Sequence, residues 1–483
     1  MSLTTTTVEQ YTRSTQLQEL SLTFQHVVTL ARLLHIPYVW IDFLCIVQDS
    51  SLDWEQESAK MAGVYGNALV VVIAASAATP STGFLGPRAR HLWTKVSTTT
   101  QSSGVVTLSL RESTSHDTNS LSGTVVNDRA WCFQERLMGQ RRLVCCDSEI
   151  IWECRDGCKN ESCSLGDGAR PHERYDASEH FLPASPYAVL RRDRPIAFES
   201  DEHAYQFWKT SVEDFTRRGL TVPTDRLPAI AALATMVHVA DGDQYLAGLW
   251  KGDILHELMW VQIPTKRTST VLQSPEGYVA PTWSWASQPY AIMYWNVRLR
   301  LDNEIFDDPS EHNYDLALVA CECNLSGASP FGAVNYGSLH LRVWPHDVTV
   351  TVTEKAAGAS WLCIEPKRPG LDQPYNWPNA ATILDGRRVR SVRLQGRETL
   401  QRAPATHHVQ FTGCIRFLWL TQTDCLILAL SQTELSAFER LGLLHMALLG
   451  APRFKRDVGS CPFVMVDLED MGYERKYDVV KLI

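Results

Sequence analysis

No stretch of this 483-residue sequence holds the roughly 18 consecutive apolar residues that a membrane-spanning helix needs. The longest apolar run, Ala68 to Ala75, has the length of a strand. Met1 to Thr15 is polar and Thr-rich, without the apolar segment of a secretory signal. Basic charge is also scarce: 45 Lys and Arg stand against 54 Asp and Glu, for a net charge of −9. That balance excludes the broad basic face of a nucleic-acid binder. The densest basic run, Arg387, Arg388, Arg390, Arg393 and Arg397, reads as the solvated face of a strand.

The sequence also lacks the short motifs of several enzyme classes. There is no P-loop, no Gly-x-Gly-x-x-Gly and no Gly-x-Ser-x-Gly elbow. There is no Cys-x-x-Cys, so the tight ligand pairs of a zinc site are missing. Cys154, Cys158 and Cys163 are spaced four and five apart, with Cys145 and Cys146 upstream and His172 downstream. The expectation is no metal and 13 reduced cysteines, which suits a cytoplasmic protein.

What is present is a globular composition: 45% hydrophobic, 20% charged, and 15 Trp, residues that are large and usually packed. The length suits two or three domains. Leu17 to Leu34 repeats apolar residues at spacings of three and four and reads as an amphipathic helix, ended by His35-Ile36-Pro37. Tyr38 to Leu44, rich in aromatic and branched residues, reads as a strand. Asp53 reads as a helix N-cap with Gln56 as its capping-box partner. Leu69 to Ala74 reads as a buried strand, so Tyr38 to Ala74 is expected to form a right-handed βαβ unit.

Further on, Ser97 to Thr124 reads as an insertion or hairpin containing the alternating run Val105 to Leu110. Arg129 to Leu137 reads as a loop entering a helix, and Arg142 to Cys145 with Glu149 to Glu153 as a closing hairpin. The polar stretch from Arg155 to about Pro186 is the best boundary. Phe207 to Arg217 and Pro228 to Val239 read as helices. Strand patterns then dominate: Leu316 to Cys321, Ser338 to Val343, Val348 to Val352, Val409 to Leu418, Cys425 to Leu430 and Pro462 to Val466.

Three segments together resemble the fungal heterokaryon-incompatibility (HET) domain family. The first runs from Tyr38-Val39-Trp40-Ile41-Asp42-Phe43-Leu44-Cys45-Ile46-Val47-Gln48-Asp49 into Asp53-Trp54-Glu55-Gln56-Glu57 and then Val64-Tyr65-Gly66-Asn67. The second is Arg129-Ala130-Trp131-Cys132-Phe133-Gln134-Glu135-Arg136, where the family usually shows Arg-Gly-Trp-Thr-Leu-Gln-Glu. The third is Trp152-Glu153-Cys154, the usual end of the domain. Weaker echoes follow in Asp225-Arg226-Leu227-Pro228-Ala229-Ile230, Tyr245-Leu246-Ala247-Gly248-Leu249-Trp250 and Pro281-Thr282-Trp283-Ser284-Trp285. The likeness covers about the first 290 residues in outline. The family's opening Tyr-x-x-Leu-Ser-Tyr-x-Trp-Gly strand motif is not found before Leu17, which implies a sheet with an unpaired edge.

The resemblance implies an α/β fold. A HET domain over 1–160 would carry a parallel-type sheet, similar to that of TIR domains, flanked by helices. A linker over 161–190, a mixed helical region over 191–290 and a β-rich region over 291–483 would follow. Trp-Cys-Phe-Gln-Glu is similar to the Trp-Cys-Leu-x-Glu stretch of plant TIR domains, whose glutamate serves NAD cleavage. That likeness makes Glu135 the candidate catalytic residue and NAD a possible substrate, with no cofactor otherwise indicated. A carboxylate beside the ribose can stabilise the oxocarbenium-like state of nicotinamide release. The alternative is a helix-start carboxylate paired with Arg129 or Arg136.

Asp42, expected at the C-terminal end of a parallel strand, can hold a ribose hydroxyl or cap the next loop. Arg129 can clamp a diphosphate or pair with Asp42 or Glu135. Trp131 and Gln134 join these as candidate ligand contacts. Trp40, Trp54 and Trp131 read as core aromatics, with base stacking as the alternative. Glu57 reads as a solvent-facing residue or the partner of an arginine. Cys45, Gln48, Asp49, Tyr65, Trp152, Glu153 and Cys154 complete the family motif. Family membership implies fungal non-self recognition and cell death, with other incompatibility proteins or self-association as partners. A NAD-cleaving hydrolase and a repurposed, inactive member are the competing readings. A hydrolase would not tolerate Glu135→Gln, and a scaffold would.

Overall fold

The computed structural model describes residues 2–86, 94–100, 104–110, 124–147, 149–154, 157–161, 198, 200–262, 277–294, 317–354, 362–367, 380–384, 410–419, 424–430, 437–446 and 478–483. The run Pro462 to Val466, the arginine run from Arg387 to Arg397, Cys163 and His172 lie outside these residues. The chain mixes helices and sheets, consistent with an α/β class, and divides into two compact units. The first takes in Met1–His180, Ala184–Ala197 and Arg218–Leu220; the second takes in Phe181–Pro183, Phe198–Arg217 and Thr221–Ile483.

Unit 1 opens with a short helix, α1 (Val8–Arg13), and then α2 (Leu22–Leu33). The expected helix from Leu17 is broken: Leu17–Glu19 is one 3-10 turn, and α2 begins after Ser21. Its C-terminus is a Schellman motif. The Ile36 N–H bonds the Ala31 carbonyl at 2.8 Å and the His35 N–H bonds the Arg32 carbonyl at 3.1 Å. His35 takes the left-handed position with φ 56°, and Pro37 bars any continuation.

Tyr38 to Leu44 is not a strand. Ile41 has extended dihedrals, φ −136° and ψ 122°, but no strand among the described residues pairs with Tyr38–Ile41. The chain then turns into α3 (Asp42–Cys45) because Asp42 Oδ1 accepts the Phe43 N–H at 2.8 Å. Branched and aromatic residues favour an extended backbone, but a strand also requires a neighbour. The expected βαβ unit is therefore not formed.

Helix α4 (Ser51–Asn67) begins one turn earlier than the sequence pattern suggests. Ser50 is its N-cap, accepting the Asp53 N–H at 3.2 Å. Asp53 is the third helical residue, and its carboxylate reaches back to the Val47 N–H at 2.7 Å. The loop and the helix start are thereby fastened together.

The sheet of unit 1 has the order β1 (Val71–Ile73), β4 (Arg141–Cys145), β5 (Ile150–Cys154), β6 (Gly157–Asn160). Only β1–β4 is parallel; β4–β5 and β5–β6 are antiparallel, so the sheet is mixed rather than parallel. Strand β6 falls in the polar stretch that begins at Arg155, just inside the expected domain end at 160. Between β1 and β4 come the hairpin β2 (Thr94–Thr100) and β3 (Gly104–Leu110), then α5 (Val125–Asp128) and α6 (Trp131–Met138). Val71, Ile73, Ala75, Val144 and Ile151 form the core cluster, with Tyr65 packed against it.

The first part of unit 2 holds α7 (Asp201–Thr216), α8 (Ala231–Asp241), α9 (Ile254–Glu257) and four short strands among the described residues. The tight hairpin of β7 (Tyr245–Leu246) and β8 (Leu249–Trp250) turns on Ala247 (φ 45°) and Gly248 (φ 100°). Both positive φ values match the twist of a two-residue hairpin loop. The Gly248 carbonyl accepts the indole N–H of Trp208 at 3.0 Å and of Trp285 at 2.7 Å. A Cβ at Gly248 would lie 2.8 Å from the Trp285 nitrogen, so a larger residue would push that indole away. Trp208, Trp250, Trp260, Trp283 and Trp285 are all fully buried and form the aromatic centre of the unit. The remaining pair, β9 (Trp260–Gln262) with β10 (Ile292–Tyr294), is antiparallel.

Strands β11 (Ala317–Leu325), β12 (Val334–Glu354), β13 (Leu362–Lys367), β14 (Ala380–Leu384), β15 (Gln410–Trp419), β16 (Asp424–Leu430), β17 (Ala437–Met446) and β18 (Asp478–Leu482) form one eight-stranded sheet, ordered β11-β12-β15-β16-β17-β14, with β13 paired to β12 and β18 paired to both β12 and β17. The two segments Ser338–Val343 and Val348–Val352 belong to one long strand, β12 (Val334–Glu354).

Candidate functional site

Helix α4, through Trp54 in its first turn and Tyr65 in its last, and the start of α6 bring motif residues of unit 1 together. Trp131 meets Trp54 edge to face, with ring centroids 6.0 Å apart at 89°. Trp40 meets Tyr65 in the same way at 5.6 Å and 75°. All three tryptophans are half-buried rather than sealed in the core. Aromatic edges that keep one face exposed can both pack and contact a ligand.

Glu135 lies one turn into α6. Protein atoms crowd its carboxyl, although the residue keeps some contact with solvent. Loss of hydration and the nearby Asp42 carboxylate push its pKa up from 4.5 to about 7. Three groups act in the opposite direction: the Arg129 guanidinium, the Cys132 thiol and the Tyr65 hydroxyl, the last two donating hydrogen bonds to the carboxyl. Burial holds Tyr65 and Cys132 well above their ordinary values, so both stay protonated donors.

Asp42 and Arg129 are exposed and flank this carboxyl electrostatically. Asp42 is not at a strand end; it is the first residue of α3 and accepts its neighbour's N–H. Arg129 is fixed through its backbone, which bridges to Gly219 in parallel, while the Ala130 N–H bonds the Gly219 carbonyl at 2.9 Å. Gln134 is buried, with 2% exposure, so its side chain is placed in the interior of the unit.

The remaining motif residues build the frame. Gln48 Nε2 donates to the Asp42 carbonyl at 3.2 Å and the Ile46 carbonyl at 2.9 Å, tying off the α3 turn. Asp49 accepts the Thr5 N–H and the Thr5 hydroxyl, both at 2.7 Å, and these bonds hold its carboxyl below the usual range. Glu57 pairs with Lys60 at 2.7 Å, not with an arginine. Cys45 and Cys154 are thiols, one exposed and one half-buried, and Trp152 is half-buried.

Glu153 occupies a different environment. It is buried between two arginines: Arg136 at 3.0 Å and Arg142 at 2.8 Å. Arg142 also donates to the carbonyls of Gly139 at 2.7 Å and Arg136 at 3.3 Å, closing the C-terminal end of α6. Arg136 therefore pairs with Glu153. The pair Arg142–Glu153 sits directly opposite in the β4–β5 register, a signal readable from the hairpin pattern. Arg136 carried no such signal, because it arrives from another element.

The result is an α/β domain with a crowded carboxyl of raised pKa, a second carboxylate, a guanidinium and half-buried indoles on neighbouring elements. Residues 2–135 match the model of the family described as Heterokaryon incompatibility protein (HET), and the chain thus carries a HET domain. The match ends at Glu135 and leaves Trp152-Glu153-Cys154 beyond it. No curated protein and no solved structure matches the chain. Among the described residues no helix is long and apolar enough to cross a membrane.

Proposed function

We propose that this HET-domain protein acts in heterokaryon incompatibility as an effector of fungal cell death, and that its killing chemistry is TIR-like hydrolysis of NAD at Glu135. The observation that supports this is the carboxyl of Glu135, poised near pH 7 beside Asp42 and Arg129. Hydrolysis breaks the bond between ribose C1′ and the nicotinamide nitrogen, and the electron pair leaves with nicotinamide. Water adds its oxygen to C1′ and gives up a proton. The ionised Glu135 stabilises the positive charge that develops on the ribose. Asp42 accepts hydrogen bonds from ribose hydroxyls, Arg129 neutralises the diphosphate, and Trp54 or Trp131 packs against a base.

A second reading, assembly without chemistry, has its own support. Leu33, Leu34 and Tyr38 are 70%, 50% and 87% exposed within a few residues of one another. Exposed apolar side chains close together suit a contact with a second copy or with another incompatibility protein. The two readings separate on nicotinamide release from NAD by the purified chain, wild type beside Glu135→Gln. Release by the wild type and its loss of at least a hundredfold in the variant are expected. No release from folded wild-type protein, with or without a crowding agent to force assembly, leaves the scaffold reading in place.

A further inference from the structure

We propose that His26 is a pH-sensitive latch: its neutral imidazole fastens residues 84–85 to α2, and its protonation releases them and uncovers Phe84. The latch does not depend on any chemistry at Glu135.

Two successive backbone N–H groups converge on one nitrogen of His26. The Phe84 N–H donates to Nδ1 at 2.9 Å and the Leu85 N–H at 3.0 Å. Successive N–H groups aimed at one point form a concavity that holds a lone pair or an anion. The approach is this close because residue 83 is glycine: its φ is 70°, and a Cβ there would stand 2.5 Å from the His26 ring. Phe84 packs edge to face with the imidazole, centroids 5.6 Å apart at 86°, and is buried with 4% exposure. Upstream, Thr23 pins the same segment without a titrating group. Its N–H bonds the Pro80 carbonyl at 2.9 Å, and its hydroxyl accepts the Gly83 N–H at 3.3 Å.

Accepting both bonds uses the Nδ1 lone pair, so the neutral imidazole carries its proton on Nε2. A second proton can go only to Nδ1, and an imidazolium has two donors and no acceptor. Protonation therefore sets a third N–H against two others. No counter-charge stands ready for it. The other ionisable residue of α2 is Arg32, six positions on and itself a cation. Residues 68–86, which include the latched segment, carry no ionisable side chain. The Phe84 ring offers a cation a π face but offers the two N–H groups no acceptor. Thr23 keeps its bonds across the range in which histidine titrates, so residues 84–85 swing out from a fixed hinge.

The experiment compares the full chain at about pH 8 and about pH 5. The imidazole carbon-13 signal of His26, assigned by its disappearance in His26→Asn, reports protonation. Hydrogen exchange, corrected for its intrinsic pH dependence, reports the Phe84 and Leu85 amides. Protection of these two amides should fall about tenfold as His26 takes up its second proton, while the Thr23 amide keeps its protection. His26→Asn keeps an oxygen acceptor near the Nδ1 position and does not titrate, so its protection should be the same at both pH values. His26→Ala lacks the acceptor and should leave both amides unprotected throughout; if it does not fold, wild type beside His26→Asn decides. Amides that stay protected beside an imidazolium, an imidazole that stays neutral at the lower pH, or an equal loss on acidification in His26→Asn overturns the latch.

Discussion

At the scale of the residue, a carboxyl that titrates near 7 in the fold but near 4.5 in the unfolded chain makes stability fall with pH. Between those values the folded protein holds a proton that the unfolded chain has already released. The native state is therefore favoured below pH 4.5, and its advantage shrinks as pH rises toward 7. Above 7 the ionised, poorly hydrated Glu135 costs about 2–3 kcal/mol, a figure that its partial solvent contact brings to the lower end. Glu135→Gln has no proton to lose, so at pH 8 it should be more stable than wild type by about that amount. Urea unfolding at pH 5 and pH 8 checks this: the gap between the two proteins should open with pH. A gap that is equal at both values would mean that Glu135 is hydrated like a surface residue. Glu135 could be nominated from the Trp-Cys-Phe-Gln-Glu pattern, but its donors could not all be assigned. Cys132 is visible as its neighbour on one helix face, whereas Tyr65 lies seventy positions earlier in the chain, and only packing brings it close.

At the scale of the element, local signals were legible where a residue's own backbone decided the outcome. Helix α6 begins and the β4–β5 hairpin forms where the sequence pattern places them. Signals failed where a partner decided. Tyr38–Leu44 has strand composition and no strand beside it, so the Asp42 side chain ends the extension and starts a turn. The apparent N-cap at Asp53 failed for a related reason: Ser50 is an equally good cap one turn earlier, and Asp53 is held by Val47. The C-terminus of α2 offers a direct test of local control. His35 sits at the Schellman position with φ 56°, where a Cβ crowds the backbone and glycine does not. Both bonds of the motif come from backbone N–H groups and survive substitution. His35→Gly should therefore stabilise the chain by about 0.5–1 kcal/mol, the relief of strain less the added freedom of the unfolded glycine. A rise in thermal midpoint is the expected readout, whereas a fall would place the stabilising contribution in the imidazole itself.

At the scale of the molecule, the compact units do not follow the chain continuously. Composition suggests a first domain ending near residue 160, yet Arg218–Leu220 belongs to unit 1. No periodicity announces this return, because three residues of irregular chain carry no pattern to read. Their contacts nevertheless reach the site. Arg218 stacks over the ring of Phe133 at 4.7 Å and donates to the Asn127 carbonyl at 2.7 Å, while Gly219 bridges the backbone of Arg129. Phe133 is fully buried on α6, two residues before Glu135, and Asn127 lies two residues before Arg129. Arg218 thus braces both sides of the segment that delivers the guanidinium and the carboxyl. Arg218→Ala removes a cation–π contact and a charge-assisted hydrogen bond, together worth about 2–3 kcal/mol. If the brace also sets the geometry of the site, nicotinamide release should fall about tenfold, since small displacements of reacting groups are costly. Arg218→Ala should show no recovery at high pH, because it displaces Glu135 and leaves its charge unchanged. A stability loss with unchanged release would confine Arg218 to the fold, and a loss of release that recovers with pH would mean that it acts through the charge of Glu135.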